Sequence, residues 1–331
     1  MTDAPVRWAI VGTGGIARRT IGDLRLLPEA EVVAVCSRKQ ETADAFADEW
    51  GLARAYDDFT ALCADAGVDA IYIGTPHGTH FRYAQEALRA AKHVLCEKPL
   101  TMTSAESREL ARLSHAHGAF LMEAMWMKFS PSMRRALDLV AAGTIGTPMF
   151  VQAGLGYPVS PDGPRRFWVA ELGGGALFDM GVYAITLAHI FLGMPDKISV
   201  VGDMRADGVD LNEAYTLSYA SGAVAQLTTS ITYSIPPRGS LGGTAGSIAF
   251  GEMLFAPRSL RLATGTPPNP PTVEDMEFEQ EGAGYVPMFR AACQAILAGK
   301  TEHRFHPVAA TVEVLETMER VRALLIRQRD A

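Results

Sequence analysis

A chain of 331 residues with 48% hydrophobic and 20% charged side chains carries core enough for one very large domain or two ordinary ones. Its net charge of −7 argues against a general nucleic-acid binder. Met1-Thr2-Asp3-Ala4-Pro5 runs straight into strand-like sequence, and no apolar run free of glycine, proline and charge is long enough to span a bilayer, so a cytoplasmic protein is expected.

Residues 7–11 read as a short strand, followed at once by Gly12-Thr13-Gly14-Gly15-Ile16-Ala17. This is the dinucleotide fingerprint in its G-x-G-x-x-A form. The first glycine permits a tight turn, the second lets a pyrophosphate approach the backbone, and the small third residue lets helix pack on strand. The anion then sits at a helix N-terminus. Residues 31–36 supply a second strand at the expected distance. An NAD enzyme places an acid after that strand to hold the ribose hydroxyls, whereas this chain has Ser37-Arg38-Lys39. A hydroxyl and two cations suit a 2′-phosphate, and Arg38 can also stack on adenine, so NADP is expected over NAD.

Ala43, Phe46, Ala47 and Trp50 keep helical spacing, and Gly51 closes that helix. Residues 69–74 form an apolar, buried strand ending in Thr75-Pro76-His77-Gly78-Thr79-His80, at the edge where ligands bind α/β sheets. A helix with Ala84, Ala87, Leu88 and Ala91 on one face leads to the strand His93–Cys96 and to Glu97-Lys98-Pro99. Thr103 and Glu106 make a capping box, and residues 119–123 read as a further strand. Repeated strand–helix units without hairpin signals predict a doubly wound parallel sheet, a dinucleotide-binding domain over residues 1–125.

Residues 126–331 are expected to form a second α/β domain with an open, mostly antiparallel sheet. Ser130-Pro131 opens a helix as N-cap and first residue, ending near Gly143. Tyr215, Leu217 and Tyr219 alternate with polar residues, Ser221-Gly222 turns, and residues 224–233 alternate again. Further strands are read at 149–155, 198–204, 246–250 and 260–263. Thr266-Pro267-Pro268-Asn269-Pro270-Pro271 reads as an exposed loop, and helices return at Val286–Leu297 and 308–326. A large one-layer sheet must cover its second face, which predicts a homodimer or higher homo-oligomer.

Between these signals, Gly173-Gly174-Gly175 leads into a run that is apolar nearly all round to Leu192, with Gly193 as a stop. At about 100° per residue, Asp179, Tyr183 and Thr186 fall on one narrow polar stripe. A buried carboxylate without partners is expensive, so this stripe is expected to form half of a site. Cys36, Cys63, Cys96 and Cys293 are far apart, the three in the first third read as small buried thiols, and the histidines show no metal-site spacing, so no metal is expected.

Together the G-x-G-x-x-A turn, Thr75-Pro76 with His80, Glu97-Lys98-Pro99, and the segment from Gly173 to Tyr183 resemble the glucose–fructose oxidoreductase and inositol dehydrogenase-like family over essentially the whole chain. Most of that family has histidine where this chain has Tyr183, which weakens an inositol-dehydrogenase reading. Tyrosine there, with Glu123-Ala124-Met125-Trp126 and Arg166, resembles the dimeric dihydrodiol dehydrogenase and NADP-dependent D-xylose dehydrogenase branch. The resemblance implies that the second sheet forms a dimer interface, that the bond before Pro99 is cis and that Glu97 touches the cofactor ribose.

The expected chemistry is hydride transfer between NADP and a sugar or cyclic diol: an aldose at its anomeric carbon, or a trans-dihydrodiol. Tyr183 is the expected acid/base. A free phenol titrates near 10, so it needs a cation, for which Lys98 is the candidate. Asp179 would orient the substrate, and Trp126 and Arg166 would line its pocket, with plain packing an alternative for Trp126. Residues 155–167 and 233–243 are expected as pocket-shaping loops. Competing readings are a keto-sugar or anhydro-sugar reductase running the other way, a dinucleotide-sensing regulator without turnover, and an enzyme that never releases its cofactor.

Overall fold

The computed structural model describes residues 4–265, 268 and 270–331; Met1, Thr2 and Asp3, and Thr266, Pro267 and Asn269 of the proline-rich loop, lie outside them. Contacts divide the chain into two units, residues 1–126 with 281–312, and residues 127–280 with 313–331.

The first unit is built on β1 (Val6–Val11), α1 (Gly15–Leu24), β2 (Ala30–Cys36), α2 (Gln40–Trp50), β3 (Arg54–Tyr56), α3 (Phe59–Ala64), β4 (Ala70–Ile73), α4 (His80–Arg89), β5 (His93–Cys96), α5 (Ser104–His117) and β6 (Leu121–Glu123). The six strands are all parallel in the order β3-β2-β1-β4-β5-β6. The chain winds outward from β1 to one side and then, from β4, to the other. The reversal leaves the carboxyl ends of β1 and β4 adjacent, which is where such sheets bind ligands. Ala9, Ile10, Ile71 and Val94 are fully buried, as strands covered on both faces must be. The capping box of Thr103 and Glu106 is formed. β3 was not read from the sequence: three half-buried residues at a sheet edge carry no pattern.

Residues 281–312 return to this unit. The carboxylate of Asp23, on α1, accepts the backbone N–H groups of Ala283 and Tyr285, each at 2.7 Å. That turn delivers the helix Val286–Leu297, whose Phe289 meets Trp8 edge-on with ring centroids 6.0 Å apart and lies 5.5 Å from Tyr72. Aromatic side chains from both ends of the chain thus close one core.

The second unit opens with α6 (Pro131–Ala141), capped by the Ser130 hydroxyl on Met133 N, and continues into β7 (Pro148–Gly156). After α7 (Val182–Leu192) come β8 (Lys197–Met204), β9 (Asp210–Ser218), β10 (Val224–Ser230), β11 (Ile235–Gly243), β12 (Gly246–Phe250), β13 (Ser259–Thr264) and β14 (Thr272–Glu277). These eight strands form one sheet, β14-β13-β12-β11-β7-β10-β9-β8, antiparallel except where β10 runs parallel to β7. α7 packs on one face, against β7 and β10. Along the other runs a groove of about 1060 Å³, lined by outward residues such as Gln152, Thr216, Gln226 and Thr228.

One strand here contradicts the sequence reading, and another lies where none was expected. Residues 235–243 fall within the loop expected over residues 233–243, and Pro236 and Pro237 cannot donate to a ladder. They are β11, and a register irregularity between Ile235 and Arg238 takes up both prolines. β14 is an edge strand exposed along nearly its whole length, so it lacks the alternation that marks a half-buried strand. The chain after β10 leaves the sheet at Ser230, whose hydroxyl accepts Thr232 N and Tyr233 N, both at 3.0 Å. By length and composition residues 170–192 could cross a membrane, yet 72% of their most apolar window is buried inside the protein.

Candidate active site

In the first unit the site begins as backbone. Gly12 has φ +100, and a Cβ there would lie 2.8 Å from Gly74 O. Only glycine joins β1 to α1 while β4 runs alongside. Gly14 then caps α1 in an extended conformation without a side-chain hydrogen bond, and no acid stands in the first turn. A Cβ on Gly14 or Gly15 would meet nothing within 4 Å, so open space fronts the N–H groups of that turn. The cradle fits a pyrophosphate. Thr13 and Ile16 flank it. At the end of β2, Ser37 is tied to Tyr56 O through its N–H, while Arg38 and Lys39 are exposed. No carboxylate occupies this position, and both cations are available to a ligand phosphate.

The loop after β4 holds Thr75 and Pro76. His80 is fully buried, with Nε2 2.8 Å from Thr75 O and Nδ1 2.9 Å from Pro99 O. Burial pulls its pKa down against those two hydrogen bonds. Both ring nitrogens are therefore spent on the backbone. His80, expected to bind the cofactor, ties the Thr75 loop to the Pro99 loop.

At the end of β5, Glu97 accepts the Tyr72 hydroxyl at 2.6 Å and the Lys98 N–H at 3.3 Å. Burial, with the Glu97 charge, pushes the Tyr72 phenol up, which keeps it a donor. Lys98 is buried, and its bond to Pro99 is cis. Behind this loop stands a cluster that the sequence did not disclose. Glu123 accepts Leu100 N, His306 Nε2 and Thr311 Oγ1, each at 3.0 Å. Burial alone would raise the Glu123 carboxyl, but these bonds outweigh it and hold it below the ordinary range. The pairing joins residues 183 and 188 positions apart, so no local motif could have announced it. Trp126 stacks on Tyr285, centroids 4.2 Å apart and 19° between planes, so one indole face is committed to packing.

In the second unit the site is made of side chains. Gly173, Gly174 and Gly175 curl back over the turn at Arg165–Phe167: Gly175 N donates to Phe167 O at 3.0 Å, and a Cβ on Gly174 would strike that same oxygen. The run from Leu177 does not start as an α-helix. Leu177–Gly181 is a π turn, and α7 follows. Asp179 lies in the wide turn and Tyr183 at the start of α7, so the even 100° stripe expected from the sequence is unwound at its first member. Arg166 Nη1 donates to Asp179 Oδ1 at 2.8 Å, and its guanidinium lies 3.8 Å from the Phe167 ring centroid. Tyr183 is buried beside Phe255, ring centroids 5.4 Å apart. Thr186, the third polar residue of the stripe, is buried in the core.

Tyr157, beyond β7, was named only as part of a loop. Burial and the Asp179 charge, against Arg166, push its phenol up to about 12. Trp168 Nε1 donates to Ser160 O at 2.9 Å and braces the same loop. Arg166, Asp179 and Tyr157 thus gather a cation, an anion and a phenol ahead of the helix that carries Tyr183, a surface suited to a polyhydroxylated ligand.

Residues 6–125 match the oxidoreductase family with NAD-binding Rossmann fold, and residues 133–249 the GFO/IDH/MocA C-terminal domain. The chain is 32% identical to human trans-1,2-dihydrobenzene-1,2-diol dehydrogenase over 323 residues, 96% of each. It is 36% identical to a D-xylose 1-dehydrogenase (NADP(+)) of Haloferax volcanii over 225 residues, 67% of this chain and 69% of that one. A 3-ketoreductase of Actinomadura kijaniata, solved with NADP and TDP-benzene, superimposes with a TM-score of 0.83 at 28% identity, covering 96% of this chain and 97% of its own.

Proposed function

The chain belongs to the GFO/IDH/MocA oxidoreductase family, and from that premise we propose an NADP-dependent dehydrogenase that oxidises an aldose at its anomeric carbon or a trans-dihydrodiol. The observation that carries this reading is the Arg166–Asp179 pair in the turn that leads into the helix of Tyr183. Bound on the glycine turn, the nicotinamide nucleotide would accept the hydride from the substrate carbon. Tyr183 takes the hydroxyl proton as the C–H bond breaks, and Lys98 is the cation that favours its phenolate. Asp179, aimed by Arg166, accepts hydrogen bonds from neighbouring hydroxyls. Gly12, Thr13, Gly14, Gly15 and Ile16 hold the pyrophosphate, Ser37, Arg38 and Lys39 the 2′-phosphate, and Thr75, Pro76 and Glu97 the nicotinamide end, with Trp126 lending its remaining face to the pocket.

The reverse reaction, reduction of a keto-sugar, uses the same residues, and similarity to a ketoreductase solved with NADP favours keeping it as the second reading. A panel of aldoses and dihydrodiols with NADP⁺, followed by keto-sugars with NADPH, decides by reduced-nicotinamide absorbance. Turnover in neither direction with any of them would leave the sensor reading. We also infer that a second copy of the chain covers the outer face of the eight-stranded sheet. Val201 is 69% exposed in its groove, and Val201→Asp should convert a dimer to a monomer in light scattering.

A further inference from the structure

Two carboxyl groups of β9, Asp210 and Glu213, are fully buried on one face of their strand. Residues three apart on a regular strand face opposite ways. Here the register against β8 shifts, with Asp203 opposite Asn212 and Met204 opposite Asp210, so Leu211 is bulged out and both acids turn inward. Asp210 Oδ2 accepts the N–H of Leu177 at 2.7 Å, the first residue of the π turn. Gly175, at φ +118, lies so close to this carboxylate that any Cβ there would collide with it. The third glycine of the triplet therefore makes room for Asp210. Glu213 Oε1 accepts the hydroxyl of Thr229 on β10.

That leaves Asp210 Oδ1 and Glu213 Oε2. Both are buried without a hydrogen-bond partner among the described residues, and the bulge at Leu211 turns the two carboxyls into the same interior face. Two ionised carboxylates in contact away from water are strongly unfavourable, whereas one proton between them satisfies both oxygens. Asp210, facing backbone N–H groups, is the member that keeps its charge. We propose that Asp210 and Glu213 share one proton at neutral pH and act as positioning residues, fixing the turn that carries Asp179 into the helix that carries Tyr183. Burial and then the Asp210 charge push Glu213 well up; burial raises Asp210 against its hydrogen bonds, and burial likewise pushes up Tyr215, a further titratable group beside them. The positioning role rests on Asp179 and Tyr183 being the reactive residues; the shared proton does not.

Glu213→Gln replaces the shared proton with an amide donor, and Glu213→Ala removes it with its partner. The infrared C=O stretch of a protonated carboxylic acid should be present in the wild type at neutral pH and absent in Glu213→Gln; its absence from the wild type overturns the proposal. A folded pKa raised above the unfolded one gives stability that is full below the unfolded value and lost as pH rises through the folded one. Thermal stability of Glu213→Gln should therefore gain on the wild type as pH rises, and parallel curves would mean that no such proton exists. The ultraviolet titration of Tyr183, taken as wild type minus Tyr183→Phe, should move by about one pH unit in Glu213→Ala and return in Glu213→Gln. An unmoved titration in Glu213→Ala overturns positioning. None of these measurements needs a substrate, so a failed turnover panel and a failed proton assignment stay distinguishable.

Discussion

In the first unit the groups proposed to hold the cofactor are backbone N–H groups and loop residues at the ends of β1, β2, β4 and β5. In the second the proposed substrate groups are Arg166, Asp179 and Tyr183, drawn from a 3-10 turn, a π turn and an α-helix. A backbone cradle is built from neighbours in sequence, so it survives wherever the glycines and the parallel order are kept. A side-chain site depends on what pins its irregular turn, here carboxyl groups thirty residues downstream. The first arrangement suits a constant ligand; the second suits one that varies.

The comparison breaks first at Tyr183. Tyr183→Phe should lower turnover by about two to four orders of magnitude and leave the NADPH dissociation constant within about twofold. Loss of cofactor affinity instead would move Tyr183 into the binding machinery. Gly12→Ala attacks the other unit. A Cβ at φ +100, pressed on Gly74 O, should weaken cofactor binding about tenfold to a hundredfold in calorimetry. Wild-type affinity would show that the turn can relax. Arg38→Ala should erode the preference for NADP over NAD about tenfold, measured as the ratio of kcat/KM values; equal losses with both cofactors would show that Arg38 does not read the phosphate.

The smallest effect is expected at Glu123. Its carboxyl is held below the ordinary value, so its hydrogen bonds stabilise the fold above an unfolded pKa of roughly 4.3 and are lost as pH falls through the folded value. Glu123→Gln should cost about 1–2 kcal/mol near neutrality and flatten the acid limb of Tm against pH. An acid limb as steep as that of the wild type would place the acid-labile carboxylate elsewhere.

What the sequence disclosed follows the same division. The strands of the parallel sheet announce themselves because burial on both faces leaves unbroken apolar runs such as Ala70–Ile73. The glycine turn and the Ser130 cap are contiguous signals. In the second unit, β11 was hidden by Pro236 and Pro237, since a ladder irregularity that admits prolines is set by β7 and not by the residues themselves. The π turn was hidden because an apolar run has the same composition whether it winds by four or five residues. Asp179 and Tyr183 could be singled out as polar groups in greasy surroundings, but Asp210 and Glu213 look like ordinary strand-end acids until the bulge at Leu211 turns them together. His80 divides the same way: its place in the loop after β4 was legible, and the two carbonyls that its ring meets were not.

The return of residues 281–312 to the first unit sets an order of events during synthesis. Translation delivers the N-terminus first, so Trp8 and Tyr72 leave the ribosome more than two hundred residues before Phe289, the ring that covers them. Asp23 waits as long for the N–H groups of Ala283 and Tyr285. The nucleotide-binding half begins first and is completed last, and an incomplete chain displays an aromatic surface that chaperones recognise. A fragment ending at residue 126 keeps every glycine of the cofactor turn and lacks the lid of its own core. Grafting this half onto another partner therefore requires two segments of chain, not one.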